Sequence, residues 1–319
     1  MQTIRATYRV VTPLSSSGAD QAKAELRPPS FKGALRFWWR ALAWERLRDV
    51  KRIRQEEAGL FGSAAQGQAS FSLTLSSEAL SEESCTGWPS SDPRAYGGYG
   101  LLETTKTRRR TFILPGSEFT ALLCFRRSRL SSDRLQELIN ALTALGLLGG
   151  LGGRSRRGWG SLTLTDLADS HDGAWRHPAT KVDFEERVRQ LIEARGPQQA
   201  SNRNAAPPPY TSFTPGASWA TGTPVESAVE AHKELLERYR EALKATPRDE
   251  RAEFGLPRAR RQERRASPVF LHLHWLSEQE FLPVALYLPA AFLPGESVAP
   301  GGGGAILNFL RALTEDGRR

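Results

Sequence analysis

Three observations predict an α+β protein with antiparallel sheets. Five segments, 3–12, 69–75, 111–114, 117–125 and 161–165, carry strand patterns, most of them alternating apolar with polar residues. Two segments with helical apolar spacing, from Phe31 to Leu42 and over 133–146, fall among them. The resulting order of strand, helix, strands, helix and strand resembles the ferredoxin-like arrangement, in which two helices cover one face of an antiparallel sheet.

Each element has its own signal. In the opening strand, Ile4, Ala6, Tyr8 and Val10 alternate with Arg5, Thr7 and Arg9. A Ser/Gly loop at 15–20 follows. Pro28 and Pro29 cannot continue a helix from upstream, and Ser30 is a good N-cap, so a helix is expected from Phe31. Phe31, Ala34, Leu35, Trp38 and Leu42 form its apolar stripe. Residues 56–63 read as a turn, 69–75 as a strand and 81–100 as a long loop rich in Ser, Gly, Pro and Tyr. A cation cluster, Lys106 with Arg108, Arg109 and Arg110, precedes strand 111–114, and the Pro115-Gly116 turn leads into strand 117–125. Ser132 is the expected cap of helix 133–146, and strand 161–165 completes the set.

The domain division expected is 1–166, a polar linker at 167–182, and 183–319. In the second part, helices at 183–195 and 225–244 bracket a loop at 200–224 that contains Pro207, Pro208 and Pro209. Strands at 268–275 and 281–288 and a helix at 305–313 follow. No fixed-period repeat relates the two parts.

The chain has 319 residues, 39% hydrophobic and 25% charged, a globular composition long enough for two domains. Its formal net charge is +9, which points to a polyanionic partner. Lysine supplies seven of the 44 basic residues. The arginine bias suits phosphate and base contacts, though an arginine-rich genome would produce it too. Two cysteines, Cys85 and Cys124, make neither a disulfide framework nor a metal-ligand spacing. No signal-peptide h-region and no 18-residue apolar run occurs, so a cytoplasmic location without membrane contact is expected.

Two stretches carry the chemistry. On the first helix Lys32, Arg36 and Arg40 stand four residues apart with Trp39 beside them, and Arg27 just precedes them. No acid separates Glu25 from Glu45, whereas a merely solvated face usually mixes both signs. Cations aligned with an exposed ring suit a strand of phosphates with unstacked bases. The second stretch, Gly149 to Gly160, places Arg154, Arg156, Arg157 and Trp159 among glycines whose backbone amides can approach an anion. It contains neither G-x-x-x-x-G-K-[ST] nor G-x-G-x-x-G, which excludes both nucleotide fingerprints. A flexible hairpin with solvated arginines is the alternative.

The stretch Leu26–Arg40 and the run Gly-Gly-Arg-Ser-Arg-Arg-Gly-Trp-Gly resemble signatures of the RAMP superfamily of CRISPR proteins. Within it, they look most like the first-numbered RAMP subunits of type III-B Cmr effector complexes. Gly18-Ala19-Asp20, Leu60-Phe61-Gly62-Ser63, Phe254-Gly255-Leu256-Pro257 and Arg264-Arg265-Ala266-Ser267-Pro268 add to the likeness. The resemblance implies tandem ferredoxin-like (RRM-like) domains with long loop insertions. It also implies a non-catalytic, RNA-binding place at the head of a ribonucleoprotein. There the subunit would contact the 3′ part of the guide RNA (crRNA) and the paired target RNA, beside another RAMP subunit, with no cofactor.

Rival readings concern catalysis and assembly. RAMP guide-processing enzymes generally use a histidine near the first helix, but no histidine precedes His171 here. His171 and His177 fall in the expected linker. His272 and His274 share one strand face, more in keeping with packing than with metal binding. Asp20 occupies a loop where backbone RAMP subunits carry a metal-dependent cleaving aspartate. A turn-capping role is the plainer reading of a lone carboxylate. Arg251, Arg258, Arg260, Arg261, Arg264 and Arg265 form a second basic stretch for RNA or a neighbouring subunit. The loops 81–100 and 200–224 suit protein contacts, so a mainly protein-bridging subunit is a third reading. Lys32, Arg36, Arg40 and Trp39 are expected to share one groove with Arg154, Arg156, Arg157 and Trp159.

Overall fold

The computed structural model describes residues 2–78, 80–84, 89, 91–101, 110–125, 130–169, 175–193, 207–255, 265–292 and 302–315. In its first half β1 (Thr3–Val10) leads to helices α1 (Pro28–Leu47) and α2 (Val50–Phe61), then to β2 (Phe71–Ser76). A short hairpin follows, β3 (Glu82–Ser84) with β4 (Thr111–Ile113), flanking α3 (Pro93–Gly97). Then come β5 (Glu118–Phe125), α4 (Ser132–Leu148) and β6 (Leu162–Asp169). The second half holds α5 (Lys181–Glu193), β7 (Ser218–Thr221), α6 (Ala228–Ala245), β8 (Val269–Ser277), β9 (Glu280–Tyr287) and α7 (Gly304–Glu315). A 3-10 turn at Glu250–Phe254 precedes β8.

The first sheet is antiparallel in the order β2-β5-β1-β6, with Ala6 opposite both Ala121 and Leu167. Period-two patterning turns Ile4, Ala6, Tyr8 and Val10 inward, and the β5 residues Phe119, Ala121, Leu123 and Phe125 join them. The helices α1 and α4 pack over that face, and Tyr8 Oη donates to the Leu142 carbonyl at 2.9 Å. The second sheet runs β7-β9-β8, also antiparallel.

Several boundaries differ from expectation for identifiable reasons. α1 begins at Pro28, not Phe31, because prolines fit the first helical positions, where a missing N–H costs nothing. Ser30 therefore lies inside the first turn, and no side chain caps the helix. Arg48 adopts the left-handed region (φ 45°) and ends α1. Asp49 then caps α2, accepting from Arg52 N at 2.7 Å, so residues 56–61 are helix rather than turn. Ser131 rather than Ser132 caps α4. The expected loops at 81–100 and 200–224 contain β3, α3 and β7. The expected linker is entered from both sides, by β6 to Asp169 and by α5 from Lys181.

β8 is buried on both faces. Val269, Leu271 and Leu273 join the core beneath α6 and α7, with Leu235, Leu236, Tyr239 and Phe309. Phe270 and Leu276 point the other way, into the core of the first half. One apolar core thus runs from the first sheet across α4 to the inner face of the second.

Candidate nucleic-acid interface

The cation row on α1 survives, but it is neither alone nor free of acid. Arg36 and Arg40 both reach Glu57 of α2, at 3.4 and 3.5 Å. Arg36 also donates to the carbonyls of Phe61 and Gly62. The counter-charge was hidden from a local reading because it lies on the neighbouring helix. Lys32 stands 5.7 Å from the centre of the Phe71 ring, and burial followed by the Arg36 charge lowers its pKa. Arg27 donates to Ser17 O at 3.5 Å. Arg27 lies 3.9 Å from Glu25, and the side chains of Arg27 and Arg40 are 39% and 41% exposed, so a ligand can reach both by competing with their carboxylate neighbours.

Trp39 is not an exposed ring. It is 1% exposed, packs against Phe61, and its indole Nε1 donates to Glu137 Oε2 of α4 at 3.0 Å. A helix wedged between α2 and α4 must bury two flanks, so Trp38 and Trp39 are both core. Trp159 is fully buried as well, beside Phe112 and edge-on to His232, with ring centres 6.2 and 5.0 Å away. Neither tryptophan offers the open stacking surface expected of it.

The glycine stretch is a clasp between the halves. Arg156 donates to Ser267 O and lies 4.4 Å from the centre of the Phe270 ring and 5.4 Å from that of Phe37. Burial, reinforced by the charges of Arg157 and Arg265, lowers its pKa to about 10. Arg157 stacks on Tyr239 at 4.2 Å and donates to Ser267 Oγ at 3.3 Å. Leu271 N donates to Arg156 O at 3.2 Å, and His232 Nε2 donates to Arg157 O at 2.9 Å. Arg156 and Arg157 are thus occupied internally, which corrects the expectation of one cationic groove shared with α1. Their nearest link to α1 is Phe37, an aromatic side chain between Arg36 and Trp38.

Arg154 alone of the three faces solvent. Its Nε and Nη2 donate to Tyr99 O at 2.9 and 2.6 Å. The same stretch meets the β1–α1 loop where Gly153 N donates to Ser15 O at 2.8 Å. Arg27, the 15–17 loop and Arg154 therefore form one continuous strip. Tyr96 and Tyr99, beside Arg154, escaped the sequence reading. Their signal was the run Tyr-Gly-Gly-Tyr-Gly at 96–100, absorbed into a long loop.

Asp20 Oδ1 accepts from Ala22 N at 2.9 Å, an Asx turn. Among the described residues no three His, Cys, Asp or Glu side chains stand where they could hold a metal ion. His272 and His274 do share a face. His272 Nδ1 donates to Gly149 O at 2.8 Å, and His274 Nδ1 lies 3.5 Å from Thr163 Oγ1. His171, Cys85, Lys106, Arg108, Arg109, Leu256, Pro257, Arg258, Arg260, Arg261 and Arg264 lie outside the described residues. Arg251 donates to the carbonyls of Lys244 and Thr246, and Arg265 to that of Glu253. No described helix is long and apolar enough to cross a membrane.

Residues 7–163 match the RAMP superfamily. The chain is 26% identical over 298 residues to the CRISPR system Cmr subunit Cmr1-1 of Pyrococcus furiosus, covering 85% of this chain and 82% of that protein. Its fold matches the apo crystal structure of Cmr1 from the same organism, with a TM-score of 0.64 at 20% identity over 97% of both chains. It also matches a chain of a type III-B Cmr-beta complex bound to cognate target RNA. That TM-score is 0.62 at 12% identity, over 98% of this chain and 99% of the other. The matched stretch 7–163 runs from β1 into β6 and holds both signature stretches, and over it the chain is similar to the RAMP superfamily.

Proposed function

We propose that this protein is a non-catalytic RNA-binding subunit of a type III-B CRISPR (Cmr) effector ribonucleoprotein. In this reading it contacts the 3′ part of the guide RNA and the paired target RNA at the head of the complex, with other RAMP subunits as neighbours. The single observation that supports it most is the strip formed by Arg27, the 15–17 loop and Arg154, with Arg40 a further partly exposed cation on α1. It lies on a chain whose likeness to Cmr1 extends over nearly its whole length. Half-exposed arginines along a helix and an adjoining loop suit a phosphate backbone, which is bound through charge and read without sequence.

The same reading takes the two halves as tandem ferredoxin-like domains. The first sheet has the full set of four strands. The second has the order β7-β9-β8 around α6 and α7, which parallels the first three strands of the other sheet. The division at 1–166 and 183–319 belongs to this reading too, with the shared core keeping the halves fixed.

The test is binding of the purified chain to single-stranded RNA across a salt series. Affinity is expected to fall steeply with salt and to vary little with sequence. A flat response between low and physiological ionic strength would overturn the proposal. The nuclease alternative rests on Asp20, which caps its own turn. Asp20→Ala is accordingly expected to leave target cleavage by the assembled complex unchanged. Loss of one cleavage product with intact assembly would promote a catalytic role.

A further inference from the structure

With Trp39 and Trp159 buried, the aromatic surface that unstacked bases need must come from elsewhere. Tyr99 is 77% exposed and Tyr96 is 45% exposed, the two most open aromatic side chains among the described residues. Both sit on the short turn that closes α3, and that turn is built rigidly. Asp92 caps it, accepting from Arg94 N at 2.8 Å, and Asp92 Oδ2 also pairs with the Arg94 guanidinium at 2.7 Å. Gly98 N donates to Arg94 O at 2.7 Å. Beneath it, a Cβ on Gly97 would meet Leu236 at 2.6 Å and one on Gly98 would meet the Trp159 ring at 2.9 Å. Only glycine allows the turn to lie flat on α6 and on that buried indole. Trp159 is thus the floor under Gly98, which stands between the two tyrosines in the chain.

Arg154 fixes the same turn from the side. Among the described residues it is one of two non-glycine residues with positive φ, at 60°, and its guanidinium makes two hydrogen bonds to Tyr99 O. Side chains rarely adopt this backbone conformation, and such strain clusters where a function needs it. Here a strained arginine holds the carbonyl of a residue whose own ring points into solvent. Through Ser15 and Ser17 the turn is continuous with Arg27.

We propose that Tyr99, with Tyr96 beside it, is a stacking platform for an unpaired base of single-stranded RNA whose phosphates run along Arg154 and Arg27. This rests on the RNA-binding reading above and adds its base-contacting element. A ring next to a cation is the arrangement that binds single strands without reading sequence.

The test uses the full chain and a mixed-sequence single-stranded RNA across a salt series, with melting temperatures of all variants measured in parallel. Tyr99→Ala is expected to weaken binding by about tenfold with an unchanged salt slope, and Tyr99→Phe to bind like the parent. Arg27→Ala is expected to lower the salt slope by about one. Parent-like binding by Tyr99→Ala, with Arg27→Ala weakened, overturns the stacking platform while the RNA-binding reading stands. No salt-dependent binding by the parent chain overturns both. Unchanged RNA affinity of Tyr99→Ala, joined to loss of incorporation into the assembled complex, makes the ring a protein contact and also overturns the proposal.

Discussion

The guanidinium of Arg156 lies 4.4 Å from the centre of the Phe270 ring, so a loop of the first half closes on β8, at the seam with the second. Among the described residues its buried charge has no carboxylate partner. The Ser267 carbonyl and two aromatic faces take that role. Arg156→Ala should therefore destabilise the whole chain by about 4 kcal/mol, the sum of a desolvated cation–π contact and a charged hydrogen bond. Arg156→Lys should recover little, because an ammonium cannot stack as a planar guanidinium does. Thermal melts of both variants check this, and equal stability of the lysine variant and the parent would argue against stacking as the holding force.

Trp39→Ala should cost about 3–5 kcal/mol as a large core truncation. Trp39→Phe should cost about 1.5 kcal/mol, since it mainly removes the 3.0 Å bond to Glu137. In both variants the folded fraction should bind RNA with parent affinity. Weakened binding by a fully folded Trp39→Phe protein would return the ring to the interface.

The contrast between Trp39 and Tyr99 shows how far this chain can be read from its sequence. Strand positions, the α1 stripe and the shared face of His272 and His274 follow from periodicity, which is local. Whether Trp39 is open depends on α2 and α4 both covering α1, and the relevant acid, Glu57, lies on a helix read as a turn. Arg156 and Trp159 looked functional because glycines flank them. Those glycines serve close packing instead, Gly149 against Trp38, Gly152 against Ser15 and Gly158 against His232. Tyr99 was overlooked because Ser, Gly and Pro around it signal a loop and say nothing about what anchors that loop.

Acid should loosen the seam. Burial lowers the pKa of His272 to about 3 and, despite a backbone hydrogen bond, that of His232 to about 4; His274 is held well below its usual value, and His177 is lowered as well. His177 and His272 both face His274, with ring centres 5.7 and 5.9 Å away, and Arg9 adds positive charge near His177. Asp92 and Arg94 act on His232 with opposite signs. The unfolded chain binds protons near pH 6.5 while these folded imidazoles do not. Stability is therefore full above that pH and falls as pH drops, by about 1.4 kcal/mol per pH unit for each such histidine. Denaturant melts between pH 7 and 5 should show the slope, and His272→Asn should flatten it. An unchanged slope in that variant would mean that His272 does not contribute.

Glu57 restrains the cation row, and removing its charge should expose what that row does. Its carboxylate lies 3.4 Å from Arg36 and 3.5 Å from Arg40, so it competes with any phosphate for both. Arg36 stays oriented without it, through the Phe61 and Gly62 carbonyls. Partly exposed ion pairs are worth about 0.2–1 kcal/mol, so Glu57→Gln should tighten single-stranded RNA binding at low salt by about two- to fivefold. The gain should vanish at high salt, where screening removes the difference. Adding Arg40→Ala should cancel it, because the cation released from Glu57 is then missing. Binding that is unchanged in a folded Glu57→Gln protein would mean that the phosphates do not follow α1. The RNA would then have to lie along Arg27, Arg154 and Tyr99 alone.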